Sequence, residues 1–167
     1  MSHLLAIGAT GMLEGALRTL AYASDEVTLV ARHATVFDLD NALPVDADWE
    51  DAQGFLTSIN VGLFDRPPVT DALIWAHDAG DRAVMGVLMG LPEGARVVHV
   101  HGSADGDHAH RVGSWRAVCA ERLRYTPVVL GRVRGGSSYR DLTHEEVCDG
   151  VLRAWRTERA LTVGEVV

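Results

Sequence analysis

Lysine is missing from this chain, and all 15 of its basic residues are arginine. That excludes any proton-transfer pair that depends on a lysine ammonium. Cysteine is scarce, with only Cys119 and Cys148, each inside a stretch patterned as an amphipathic helix. Two such residues build neither a disulfide framework nor a zinc site, and they read as small buried apolar groups in a reducing cytoplasm. No apolar run reaches the roughly 18 residues of a membrane-spanning helix, so no membrane partner is expected. The segment from Met1 to Thr10 has no arginine and runs directly into a glycine turn. It reads as a buried strand rather than a secretory signal. Positive charge is also outnumbered: 23 acidic residues give a net charge of −8. A field of that sign repels polyphosphate backbones, which excludes general nucleic-acid binding but leaves room for one local basic pocket.

What the chain does have is a core. Hydrophobic residues make up 47% and charged residues 23% of its 167 positions, the balance of one globular domain over residues 1–167. Leu4 to Ile7 is a short continuous apolar run ending at Gly8, as expected of a strand buried on both faces. From Gly11 the period changes. Met12, Leu13, Ala16, Leu17, Leu20 and Ala21 recur three and four residues apart, one face of a helix. Val27 to Ala31 is a second β-branched run, which completes a βαβ unit.

The alternation continues with a short strand at Leu43 to Val45, a helix from Ala52 to Val61, and a strand from Ala72 to Ala76. A helix over Arg82 to Leu91 and a strand over Arg96 to Val100 follow. The polar stretch from Ala104 to Arg111 reads as a loop. Trp115, Val118, Cys119 and Leu123 mark a further helix, and Pro127 to Val133 a sixth strand. Thr143 with Glu146 forms a capping box opening a helix striped by Val147, Val151, Leu152 and Trp155; Ala160 to Val163 is a last strand. The order predicts an α/β fold: a single doubly wound Rossmann domain, its mostly parallel sheet of six to seven strands covered by helices on both faces.

The turn Gly8-Ala9-Thr10-Gly11-Met12-Leu13 sits between the first strand and first helix. Anions bind where backbone N–H groups are unsatisfied and side chains stay out of the way. Gly8 allows a tight turn, Gly11 a close approach to a pyrophosphate, and Gly15 the packing of the helix against the sheet. Gly8-Ala9-Thr10-Gly11 resembles the glycine motif of the short-chain dehydrogenase/reductase superfamily, especially its NmrA-like branch. The resemblance runs from Leu4 to Val167 and implies dinucleotide binding. The family's third glycine falls where this chain has Glu14, with Gly15 next to it.

An acid usually ends the second strand of NAD-binding members. Here Arg32 and His33 stand there, which favours NADP over NAD, because guanidinium suits a 2′-phosphate. Asp46 resembles the aspartate that contacts adenine, or else it belongs to the acidic helix start Asp46, Asp48, Glu50 and Asp51. Ala76 and His77 lie where the family lines the cofactor ribose. The superfamily's catalytic Tyr-x-x-x-Lys is absent: Val129 follows Tyr125 and Thr143 follows Tyr139 at that spacing. His77, His101, Tyr139 and Ser103, which resembles the catalytic serine, are the candidate replacements.

Three functions follow in order. The first is an NADP-dependent oxidoreductase acting on a small molecule, the second a non-catalytic NADP(H)-binding redox sensor. The third is a metal-dependent hydrolase using His99, His101, Asp105, Asp107, His108 and His110. That segment matches no ligand spacing; His99 and His101, two apart on a strand, are expected to fill the sheet end. Arg132, Arg134 and Arg140 surround Gly135 to Ser138, an ordinary exposed loop or else an anion or subunit contact. Pairing through the later helices would make a homo-oligomer.

Overall fold

In the computed structural model, which describes residues 1–103 and 107–167, every residue of β1 (His3–Ile7) is buried. Its side chains divide between two cores. Leu4 and Ala6 join the layer of α1 (Glu14–Tyr22) and α5 (His144–Thr157), while Leu5 and Ile7 join the layer of α2 (Ala52–Leu63), α3 (Asp81–Gly90) and α4 (His108–Cys119). A strand buried at every position has no wet face, and this is why the apolar run from Leu4 to Ile7 shows no alternation.

Around β1 run β2 (Glu26–Ala31), β3 (Ala42–Asp46), β4 (Asp71–Trp75), β5 (Arg96–Gly102), β6 (Arg124–Leu130) and β9 (Leu161–Val163), in the order β3-β2-β1-β4-β5-β6-β9. All pairings in this sheet are parallel. The chain travels outward from β1 through β2 to β3, then returns to the other side of β1 for β4. In a doubly wound sheet such a reversal, here between β1 and β4, is the point at which a crevice can form above the carboxyl ends of the strands. His3 starts β1 without exposure and is fully partnered: Nδ1–H donates to the Pro67 carbonyl at 2.7 Å, so Nε2 accepts from the Thr28 hydroxyl at 2.9 Å. Among the described residues no helix is long and apolar enough to cross a membrane.

The sixth strand ends earlier than its sequence suggests. After Leu130 the chain leaves the sheet at Gly131, where a Cβ would sit 2.2 Å from the Glu165 carbonyl oxygen. The C-terminal segment crosses there, and Arg132 and Glu165 exchange backbone hydrogen bonds of 2.8 and 2.7 Å. Arg132 therefore opens a separate antiparallel hairpin, β7 (Arg132–Gly135) with β8 (Ser138–Asp141). A second correction concerns Gly15. It faces α5 rather than the sheet: a Cβ on it would lie 3.3 Å from Cys148 Sγ. Of the loop expected from Ala104 to Arg111, residues 104–106 lie outside the described residues, and from His108 the chain is already α4. Of the expected stripe on α4, Trp115 and Cys119 are buried but Val118 is exposed. The capping box of α5 is fully formed: Glu146 N–H donates to Thr143 Oγ1 and Thr143 N–H to the Glu146 carboxylate.

Gly131→Ala should lower the unfolding free energy by about 2 kcal/mol, since its methyl must displace backbone rather than a flexible side chain. Gly90→Ala, at a position with nothing within 4 Å, should be neutral or stabilising. Urea denaturation of both variants checks the contrast, and equal midpoints would contradict it.

Candidate functional site

The glycine turn is built by one residue that L side chains rarely imitate. Gly8 has φ +69°, and a Cβ on it would lie 2.0 Å from the Trp75 carbonyl oxygen of β4. Its N–H donates to Val30 of β2 at 3.0 Å, so the turn is tied to both neighbouring strands. Ala9 and Leu13 are fully buried and Thr10 and Met12 partly so. Ala9 and Leu13 can offer a ligand only backbone. Gly11 is exposed with nothing within 4 Å of its Cβ position, leaving an open approach. Behind it α1 begins with no side chain capping its first turn; the Gly11 carbonyl takes the Glu14 N–H at 3.0 Å, and the positive end of the helix dipole faces the turn. These are the features an anionic pyrophosphate requires.

Arg32 and His33 follow β2 and are exposed, and Arg32 has no hydrogen-bond or ion-pair partner among the described residues. Asp46 ends β3 and takes no part in the helix start, one of the two roles its sequence position suggests. Its carboxylate accepts from the Thr35 N–H and hydroxyl, both at 2.9 Å, which holds it below the usual carboxylate range. It pins the short 3-10 turn Ala34–Val36 that follows Arg32 and His33. The helix start belongs to Asp51, which accepts from Gly54 N–H at 3.1 Å.

Sequence reasoning missed Trp49. Its indole lies beside the glycine turn, with Cζ3 3.0 Å from the Cβ position of Gly8 and Cγ 3.0 Å from that of Gly80. His77, exposed just after β4, stands edge-on to Trp49 with ring centroids 6.0 Å apart, and edge-on to Trp75 at 5.5 Å. The signal available was a lone aromatic in the acidic run Asp46-Ala47-Asp48-Trp49-Glu50-Asp51. Ala76, between Trp75 and His77, is buried.

The other candidate proton carriers are dispersed. His99 and His101 point to one face of β5, as their spacing requires, and both are buried. The Tyr125 hydroxyl lies 2.8 Å from His99 Nδ1 and 3.0 Å from His101 Nε2. Having one proton, it donates to one ring and accepts an N–H from the other. Burial, then the nearby Arg111 guanidinium, hold His101 at about 4; burial also depresses His99 and pushes the Tyr125 hydroxyl up. Ser103 follows β5 and is half-buried. Tyr139 sits on the exposed hairpin. On that hairpin Arg132 pairs with Asp141 at 3.1 Å and Arg140 with Glu146 at 2.8 Å, so the expected arginine cluster is largely neutralised. Among the described residues no three His, Cys, Asp or Glu side chains converge as a metal site; Asp105 lies outside them. Both cysteines are buried and free.

Between α3 and α4 a cleft of about 660 Å³ opens at the carboxyl end of β5, where Gly102 forms part of its wall. Met85, Trp115 and Val118 give it apolar sides, and Arg111 spans its mouth by pairing with both Asp78 and Asp81.

No family model matches the chain, and no curated protein matches its sequence. Solved structures do match its fold. A short-chain dehydrogenase/reductase from Serratia marcescens aligns with a TM-score of 0.71 at 13% identity, covering 99% of this chain and 97% of its own. A short-chain dehydrogenase/reductase described as glucose/ribitol dehydrogenase, from Brucella melitensis, gives 0.67 at 10% identity, covering 98% and 95%. A blue fluorescent protein from a metagenomic library, solved in complex with NADPH, gives 0.70 at 12% identity, covering 99% and 97%. The chain shares the Rossmann fold of these structures.

The His99–Tyr125–His101 cluster carries a pH signature. A histidine whose folded pKa lies below its unfolded value stabilises the fold above the unfolded value, and that stability drains as pH falls towards the folded one. For His101 the window runs from about 6.5 down to about 4, worth roughly 3 kcal/mol. Urea midpoints measured across it should fall steeply in the native protein and more gently in His101→Asn. Parallel acid limbs would refute the assignment.

Proposed function

We propose that this protein binds NADP(H) across the crevice at the carboxyl ends of β1 and β4 and works as an atypical oxidoreductase on a small-molecule substrate. The observation that carries the reading is the glycine turn itself: Gly11 open to solvent in front of an uncapped helix, at the point where strand order reverses. The residues present fit a dinucleotide. The α1 amides would take the pyrophosphate, and Arg32 would take the 2′-phosphate with His33 beside it. Ala76 and His77 would border the ribose. Bound NADPH would supply hydride. Ser103, half-buried and next in the chain to Gly102 of the cleft, is the best-placed proton-handling group for that hydride transfer. The cleft beside Gly102 has the size and apolar walls of a substrate pocket.

A second reading, a cofactor-holding redox sensor without turnover, is favoured by one observation. His101 is sealed behind Tyr125 and Tyr139 projects on a hairpin, so neither of these acids stands at the crevice. NADPH oxidation with some carbonyl or enone in a broad panel, lost in Ser103→Ala, selects the enzyme. Tight binding with no turnover selects the sensor.

Cofactor choice is testable on its own. In calorimetric titrations at fixed ionic strength NADPH should bind more tightly than NADH. Arg32→Ala should weaken NADPH by about tenfold or more and leave NADH unchanged, as loss of a charge-assisted contact predicts. Equal dissociation constants in the native protein would overturn the preference.

A further inference from the structure

We infer that Trp49 is the stacking surface for the adenine ring of the cofactor, with His77 as its edge; the inference rests on the NADP(H) reading above. The indole is laid along two glycines. Its benzo end is at Gly8 and its pyrrole end at Gly80, where Cγ and Cδ1 come to 3.0 and 3.2 Å of a Cβ position. Side chains at either glycine would hold the ring away, so the close fit depends on both. His77 meets the indole at an interplanar angle of 71°, closing one side. Yet Trp49 is only part-buried, while Phe55 and Ile59 of α2 fill the core below it. A large aromatic kept at a sheet rim with area to spare suits a planar ligand.

The chemistry of the surroundings selects which ring. Asp46, Asp48, Glu50 and Asp51 flank Trp49 along the chain, so a phosphate is repelled there and an uncharged base is accepted. Trp49 follows β3, on the same side of the glycine turn as Arg32 at the end of β2. A 2′-phosphate held by Arg32 belongs to the adenosine half, which directs adenine, not nicotinamide, to the indole. Stacking of a base on an aromatic side chain tolerates exchange of one aromatic for another, since both present a π face.

Half-cofactors separate the possibilities. Adenosine 2′,5′-bisphosphate and nicotinamide mononucleotide are titrated calorimetrically into the native protein and into Trp49→Leu, Trp49→Phe and Gly80→Ala, each first shown to melt cooperatively. Trp49→Leu should weaken the bisphosphate by about tenfold or more. Trp49→Phe should stay within about threefold of native, and Gly80→Ala, which lifts the ring, should fall between. Mononucleotide affinity should be unchanged in all three. Binding of the bisphosphate should also quench tryptophan emission in the native protein, with less quenching in Trp49→Phe. Unchanged bisphosphate affinity in Trp49→Leu overturns the stacking role and leaves the crevice reading standing. Loss confined to the mononucleotide overturns the assignment to adenine. A native protein that binds neither half nor NADPH overturns both readings together.

Discussion

The left-handed backbone at Gly8 is the constraint on which the rest of the site depends. At φ +69° the chain turns off β1 with its α-carbon against the Trp75 carbonyl of β4, a place with no room for a side chain. From that turn come the outward placement of Gly11, the approach of α1 with no side chain capping its first turn, and the space occupied by the Trp49 indole. A bulkier residue would part β1 from β4 at the strand ends where the proposed crevice lies. Sheet, helix and candidate site thus share one tight contact.

Much of the architecture was legible because parallel sheets write themselves plainly. Unbroken apolar runs such as Leu4 to Ile7, alternating with helical stripes, need no long-range information to be read. The sixth strand was overrun because Val133 continues the β-branched pattern beyond Gly131. What stops the strand is a backbone crossing by Glu165, more than thirty residues later, and local pattern contains no trace of it. Gly15 was given the right task and the wrong neighbour for the same reason: α5 arrives from the far end of the chain to bring Cys148 against it.

The site was legible as a glycine turn followed by a basic strand end, and less so in its side chains. Asp46 could be seen as acidic and near a strand end, but its hydrogen bonds to Thr35 depend on how the β2–β3 connection folds back. Trp49 carried no recognisable spacing; its place follows from glycines at 8 and 80 meeting in space. His99 and His101 showed the opposite case. Their shared face was readable, but their partner, Tyr125, lies on a neighbouring strand. Several arginines with structural duties are paired, Arg66 with Glu26, Arg96 with Asp71 and Arg111 with Asp78 and Asp81. Arg32 shares its lack of a side-chain partner among the described residues with Arg82, Arg116 and Arg134, and differs from them in its place after β2, beside the turn pinned by Asp46.

The borders of the sheet have a consequence for how copies of this molecule can meet. Along β3 the Ala47 N–H points inward to Ala31, and the twofold repeat of a strand then aims the nitrogen of Pro44 outward. Proline has no hydrogen there, so the outer rim lacks a donor that an incoming strand would need. At the opposite rim β9 spans only Leu161–Val163, and the chain then bends at Gly164 to cross Arg132. Neither border offers the long flat ladder that recruits a foreign strand. Growth of this sheet by strand addition at either border is thereby discouraged.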